Sequence, residues 1–152
     1  MRDTTDFIKK CEKIGISLSE KQISQFMTYY DLLVEWNSFM NLTAITEFNE
    51  VIDKHFIDSL AICEYVDFKN SDSLIDIGTG AGFPGIPLKI VFPELRITLL
   101  DSLNKRIKFL DTVIESLGLE NVETIHGRAE DFAKQQRYRE KYDFVISRAV
   151  AN

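Results

Sequence analysis

Across residues 1–70 the apolar positions recur three and four apart, which is the spacing of one helix face. Phe7, Ile8, Cys11 and Ile14 predict a first helix, and Gly15 supplies its stop. Ser19 followed three residues later by Gln22 is a capping-box pattern. It predicts a longer helix with Ile23, Phe26, Met27, Tyr30, Leu33 and Val34 as its packing stripe. A third helical stretch runs from about Glu47 to Glu64, with Val51, Ile52, Phe56, Ile57, Leu60 and Ala61 on its apolar side. Then the texture changes. Short apolar runs appear at Leu74–Ile77, Arg96–Asp101, Val122–His126 and Tyr142–Ser147. Helical segments lie between them at about Phe83–Phe92, Asn104–Leu117 (stopped by Gly118) and Ala129–Lys134. Strand and helix alternate, so the pattern predicts right-handed crossovers and an α/β fold with a mostly parallel sheet covered on both faces.

Composition narrows the class. With 152 residues, 45% hydrophobic and 28% charged, the chain can bury a real core, and disorder is excluded as its main state. No apolar run reaches the roughly 18 residues of a membrane-spanning helix, and the first residues, Met1–Asp6, do not read as a signal peptide. Cys11 and Cys63 lack metal-ligand spacing and read as small apolar residues of a reducing, cytoplasmic compartment. No metal is expected. The net charge of −6 argues mildly against a nucleic-acid partner. The acids, however, are concentrated in residues 1–76, with 14 against 7 basic residues. Arg128, Lys134, Arg137, Arg139, Lys141 and Arg148 form a more basic stretch, which reads either as a phosphate-facing patch or as a solvated surface.

The candidate chemistry is in a glycine loop. Four of the seven glycines, Gly78, Gly80, Gly82 and Gly85, follow the first strand directly. Glycine lets the chain turn sharply and lets a ligand approach the backbone, while the helix that follows offers unpaired N–H groups. Pro84 and Pro87 suit its first turn and Pro93 marks its end. Two ligand readings compete. Gly80-Ala81-Gly82-Phe83-Pro84-Gly85 matches the dinucleotide pattern G-x-G-x-x-G. Asp76-Ile77-Gly78-Thr79-Gly80-Ala81-Gly82 matches D-x-G-x-G-x-G and fits better, because the strand ends at Gly78. Asp76 beside the loop suits a ligand with an amino group and suits a pyrophosphate poorly. Asp101, ending the second strand, suits ribose hydroxyls in either case.

This arrangement resembles a class I S-adenosylmethionine-dependent methyltransferase, with Asp76 to Gly82 as its first motif and Asp101 as its ribose acid. Asn41-Leu42-Thr43-Ala44-Ile45, His55-Phe56-Ile57-Asp58-Ser59-Leu60, the run from Asp76 to Pro87, Gly127-Arg128-Ala129-Glu130 and Ser147-Arg148-Ala149 resemble the bacterial RsmG (GidB) family. The resemblance implies methylation of guanine N7 in 16S rRNA of the small ribosomal subunit, with S-adenosylmethionine as cofactor. Acting on another substrate, or only binding the cofactor, are the alternatives. It implies that Gly78 and Phe83 touch the cofactor, that Ala129 and Glu130 border its adenine, and that Arg148 faces cofactor or substrate. His55 with Asp58 is implied as a substrate-side contact, or else packs and caps. No catalytic acid–base pair is expected. The resembled fold has seven strands, of which four are legible here, expected in the order 3-2-1-4. Residues 1–70 then form a helical N-terminal extension, residues 71–152 form the cofactor-binding half of the methyltransferase domain, and the chain reads as C-terminally truncated with a bare fourth strand.

Overall fold

A computed structural model of the chain describes residues 2–70, 72–134 and 141–148. The four apolar runs form one sheet from β1 (Ser73–Ile77), β2 (Arg96–Asp101), β3 (Val122–His126) and β4 (Phe144–Ile146), in the order β3-β2-β1-β4. All three neighbouring pairs are parallel; Ile75 lies opposite Thr98 on one side and Val145 on the other. The expected order and parallel sense are borne out. β1 and β2 are covered on both faces, and Leu74, Ile75, Leu99 and Leu100 are all buried. That is why they read as continuous apolar runs.

β4 is shorter than the expected Tyr142–Ser147. At its start, side-chain bonds replace the ladder. The Ser73 N–H and hydroxyl both donate to Asp143 Oδ2, and the Asp143 N–H donates to Ser73 Oγ. α5 (Gly85–Val91) begins later than the expected Phe83, because residues 81–84 form a turn. Pro87 occupies the first turn of α5, where no N–H is needed, and Pro93 follows its end. α6 (Asn104–Leu117) ends at Gly118, which is left-handed with φ +66°, and the Leu119 N–H then closes on Ile114 O. This Schellman-type stop is the one the sequence predicts. α7 spans Ala129–Lys134.

The N-terminal helices, α1 (Thr5–Lys13) and α2 (Glu20–Asn37), share one hydrophobic core with the sheet half. Phe26 stands 5.0 Å from both Phe7 and Phe56, and Tyr29 stacks on Phe56 at 5.5 Å. The capping box at Ser19 and Gln22 forms as expected. The stripe of α2 differs in one respect. Tyr29 is fully buried, while Val34 at its outer margin is exposed. Four side chains of α2 grip backbone carbonyls elsewhere: Gln22 those of Ile90 and Val91, Gln25 that of Leu117, Tyr29 that of Ala81 and Tyr30 that of Thr46.

The third helical stretch is not uniform. α3 (Phe48–Val51) runs into a π-helical segment (Ile52–Ile57), then α4 (Asp58–Leu60) and a 3-10 turn (Ala61–Glu64). Its buried residues are Val51, Ile52, His55, Phe56, Ser59 and Leu60, pairs repeating every four positions. On a regular α-helix a four-residue repeat drifts about 40° per step. The wider π segment absorbs that drift and keeps the stripe facing the core.

Truncating Phe26 to Ala should leave a cavity in this shared core and destabilise the chain by about 3–5 kcal/mol, read as a lowered urea midpoint. β4 pairs only with β1 among the described residues, and Val145 on it is half exposed. Such an edge invites pairing with another chain. Sedimentation of the 152-residue chain should therefore show association that grows with concentration, and Val145→Lys should shift it toward monomer.

Candidate functional site

β1 delivers the chain into the loop at Gly78. Gly78 and Gly80 have φ of +68° and +61°, a left-handed backbone that side chains resist, and the space where a Cβ would stand is open. At these two positions main chain faces a cavity. Gly82 and Gly85 serve a different need. A Cβ at Gly82 would meet the Tyr29 hydroxyl and Ile86 at 2.7 Å, and one at Gly85 would meet Leu99 at 2.4 Å. They let the loop and α5 pack closely on what lies beneath.

Two carboxylates sit under the loop. Asp76 is fully buried, and its Oδ2 accepts from the Thr79 hydroxyl at 2.6 Å and the Gly85 N–H at 2.9 Å. Its Oδ1 is buried with no hydrogen-bond partner among the described residues. Burial pushes this carboxyl up to about 7, against the pull of those two bonds. Asp101, also buried, accepts from the Gly80 N–H at 2.8 Å through Oδ2 and from the Leu103 N–H at 2.9 Å through Oδ1. Arg106, in the first turn of α6, comes within 3.6 Å of Asp101 Oδ1.

The opposite wall comes from the N-terminal helices. His55, on the π segment, stacks on Phe83 with ring centroids 4.4 Å apart and planes 9° from parallel. Arg148, just past β4, places its guanidinium 5.0 Å from the centre of the Phe83 ring. Its Nη2 lies 3.1 Å from His55 Nδ1, its Nη1 donates to Lys54 O at 3.3 Å, and Asp58 Oδ2 is 3.6 Å away. Burial first, and the Arg148 charge second, push the His55 ring down to about 4, so it is neutral near pH 7. Asn37 at the end of α2 accepts from the Leu42 and Thr43 N–H groups and holds the segment that follows.

These parts enclose a cavity of about 460 Å³, bordered by residues 41–44, His55, Gly78–Ala81, Phe83, Arg106 and Arg148. Of the residues singled out in the sequence, Gly78, Gly80, Phe83, His55 and Arg148 line it. Asp76, Asp101 and Gly82 lie behind its glycine wall. Ala129 and Glu130 lie elsewhere, exposed at the start of α7. Beside them is a second hollow of about 240 Å³, walled by Ile75, Leu100, Ile125, Arg128 and Phe132. Of the basic stretch, Arg148 is turned inward to His55 and Asp58, while Arg137 and Arg139 lie outside the described residues, as does the Lys134 side chain. Sequence reasoning assigned no role to Arg106 or Thr43. The Asn41-Leu42-Thr43 run was the available signal for Thr43, and for Arg106 it was the spacing of five from Asp101.

The family described as GidB, rRNA small subunit methyltransferase G, matches residues 22–152. The ribosomal RNA small subunit methyltransferase G of Lachnoclostridium phytofermentans is 58% identical over 99% of this chain and 62% of its own length. That of Alkaliphilus metalliredigens is 53% identical over 93% of this chain and 59% of its own. The chain thus spans about three-fifths of the length of these relatives. Among solved structures, a coclaurine N-methyltransferase bound to N-methylheliamine and SAH is similar with a TM-score of 0.55 at 15% identity, covering 93% of this chain and 48% of that one. A putative protein-L-isoaspartate O-methyltransferase from Plasmodium falciparum, in complex with S-adenosyl-L-homocysteine, has a TM-score of 0.53 at 13% identity, covering 99% and 75%. These distant likenesses concern the fold, and they show the class I methyltransferase architecture expected from the resemblance. On the strength of the match over residues 22–152 and of relatives more than half identical, the chain belongs to the GidB, rRNA small subunit methyltransferase G, family.

Proposed function

We propose that the protein transfers a methyl group from S-adenosylmethionine to guanine N7 in the 16S rRNA of the small ribosomal subunit. The observation that carries this reading is the cavity in which the open backbone of Gly78 and Gly80 faces Arg148, His55 and Phe83. The residues present fit the cofactor. The cavity is within the ~300–1,000 Å³ of small-molecule sites. Asp76 Oδ1 is a buried acceptor still free to take a hydrogen bond, next to the loop. In this reading residues 71–152 supply the cofactor side, with Asp76, Gly78, Gly80, Gly82, Phe83 and Asp101 holding the cofactor. Ala129 and Glu130, which stand outside this cavity, border its adenine at the hollow beside α7. Arg148 and the helices of residues 1–70 form the substrate-facing wall. A ribosomal RNA substrate makes the cytoplasm the working compartment. Among the described residues no helix is long and apolar enough to cross a membrane.

When bound, S-adenosylmethionine supplies an electrophilic methyl on a sulfonium. Guanine N7 carries an in-plane lone pair and no proton, so the chain need not provide a general base. That agrees with the neutral, hydrogen-bonded state of His55, which has both nitrogens engaged. What the side chains contribute is alignment and exclusion of water. The Phe83–His55 stack gives the cavity a flat rigid wall, and Arg148 locks that wall to α4 through Asp58.

Calorimetry should show binding of S-adenosylmethionine in preference to NAD; the reverse preference overturns the reading. Labelled methyl should pass to 16S rRNA in small subunits from a strain that lacks this modification, and transfer to no RNA counts against the substrate. Asp101→Ala should weaken cofactor binding by about 1–3 kcal/mol if its ribose contact is direct, and unchanged affinity refutes that role. Asp76 gives a pH dependence. Its carboxyl is held at about 7 in the free protein, and a cationic amino group beside it favours the carboxylate. Binding then releases a proton, and affinity should fall as pH drops below about 7, by up to about tenfold per unit. Asp76→Asn should flatten that profile between pH 5.5 and 7.

A further inference from the structure

The hydroxyl of Thr43 has a fixed hydrogen-bonding sense, and Arg148 fixes it. A guanidinium only donates. Arg148 Nη2 lies 3.1 Å from His55 Nδ1, so Nδ1 is the accepting nitrogen and the ring proton is on Nε2. The low ring pKa of about 4 leaves no second proton near neutrality. Nε2 therefore donates to Thr43 Oγ1, 2.8 Å away. The Ile45 N–H donates to the same oxygen at 3.0 Å. A threonine hydroxyl has two lone pairs and one proton, and both lone pairs are taken. Its proton has no acceptor among the described residues, and Thr43 borders the same cavity as Gly78 and Gly80.

We infer that Thr43 is a specificity-determining residue whose hydroxyl, obliged to donate, hydrogen-bonds guanine O6 and refuses the 6-amino group of adenine. The inference rests on the reading that guanine N7 is the methylated atom. O6 stands beside N7 on the same base edge. Guanine presents two acceptors there, whereas adenine presents an acceptor and an amino donor. A freely rotating hydroxyl satisfies either base. A hydroxyl with filled lone pairs satisfies only the acceptor, and opposite adenine it leaves two donors facing each other without water, which is costly. His55 and Arg148 act on this choice through Thr43 and are positioning residues in it.

The test is a chemical double-mutant cycle with the protein expressed from its complete reading frame. The substrate is small subunits carrying either guanine or 2-aminopurine, which keeps N7 but lacks O6, at the target position. Thr43→Val should lower kcat/KM on guanine about tenfold. 2-Aminopurine should lower the wild-type value by a similar factor, and the two changes together should cost no more than either alone. Thr43→Ser should retain the wild-type value, and the affinity of Thr43→Val for S-adenosylmethionine should stay within about twofold of wild type. Losses that multiply, or a loss in Thr43→Val traced wholly to cofactor affinity, overturn the inference. So does an undiminished wild-type rate on 2-aminopurine, which needs no folded variant. If the wild type methylates guanine and the cycle shows no coupling, this inference alone fails. If the wild type methylates no guanine, the functional reading fails and the inference falls with it.

Discussion

Half of the eight residues from Gly78 to Gly85 are glycine, so much of the run's conformation is imposed from beneath. Asp76 at the end of β1 takes two donors from the loop, the Thr79 hydroxyl and the Gly85 N–H. Asp101 at the end of β2 takes the Gly80 N–H. The Tyr29 hydroxyl, from α2, donates to the Ala81 carbonyl. Three elements that meet only in the folded protein thus hold one backbone segment by its polar groups. Removal of Cβ atoms at Gly82 and Gly85 lets those elements come close enough to do so. The arrangement carries a cost. A buried carboxylate with one oxygen unpartnered is poorly solvated, and its raised pKa is the sign of it. Such tension is expected where a group is kept ready for a ligand.

The N-terminal helices are part of this same device. α2 grips the carbonyl ends of α5 and α6 through Gln22 and Gln25, besides reaching the loop through Tyr29. The π segment presents Phe56 to the core and His55 to Phe83 at adjacent positions. Arg148 closes the structure from the far end of the chain, reaching Lys54, His55 and Asp58. The cavity is therefore a seam between the helical region and the sheet half. Deleting the helical region would remove one wall of the cavity and much of the core under the loop.

Much of this was legible in the residues. The fourfold alternation of apolar runs with helical stretches, the glycine stops at Gly15 and Gly118, the capping box at Ser19 and the crowding of glycines after β1 each depend on neighbours within a few positions. Local sterics and hydrogen bonding decide such features wherever the chain goes. The order of the strands followed from the alternation together with the resemblance. Two element bounds shifted: the start of α5, displaced by the local turn over Thr79, and the end of the sheet at β4, shortened by the long-range bonds between Ser73 and Asp143.

What the sequence determined by itself is the class of the fold and the place of its glycine loop, because both follow from periodicity and backbone freedom. The tertiary structure alone decided which side chains face the cavity. Thr43, His55, Gly80 and Arg148 meet across spans of up to 105 positions, and nothing in their local patterns tells a packing histidine from one that orients a hydroxyl. That distinction is set by the donor placed opposite each ring nitrogen, and only packing brings Arg148 to one side of His55 and Thr43 to the other.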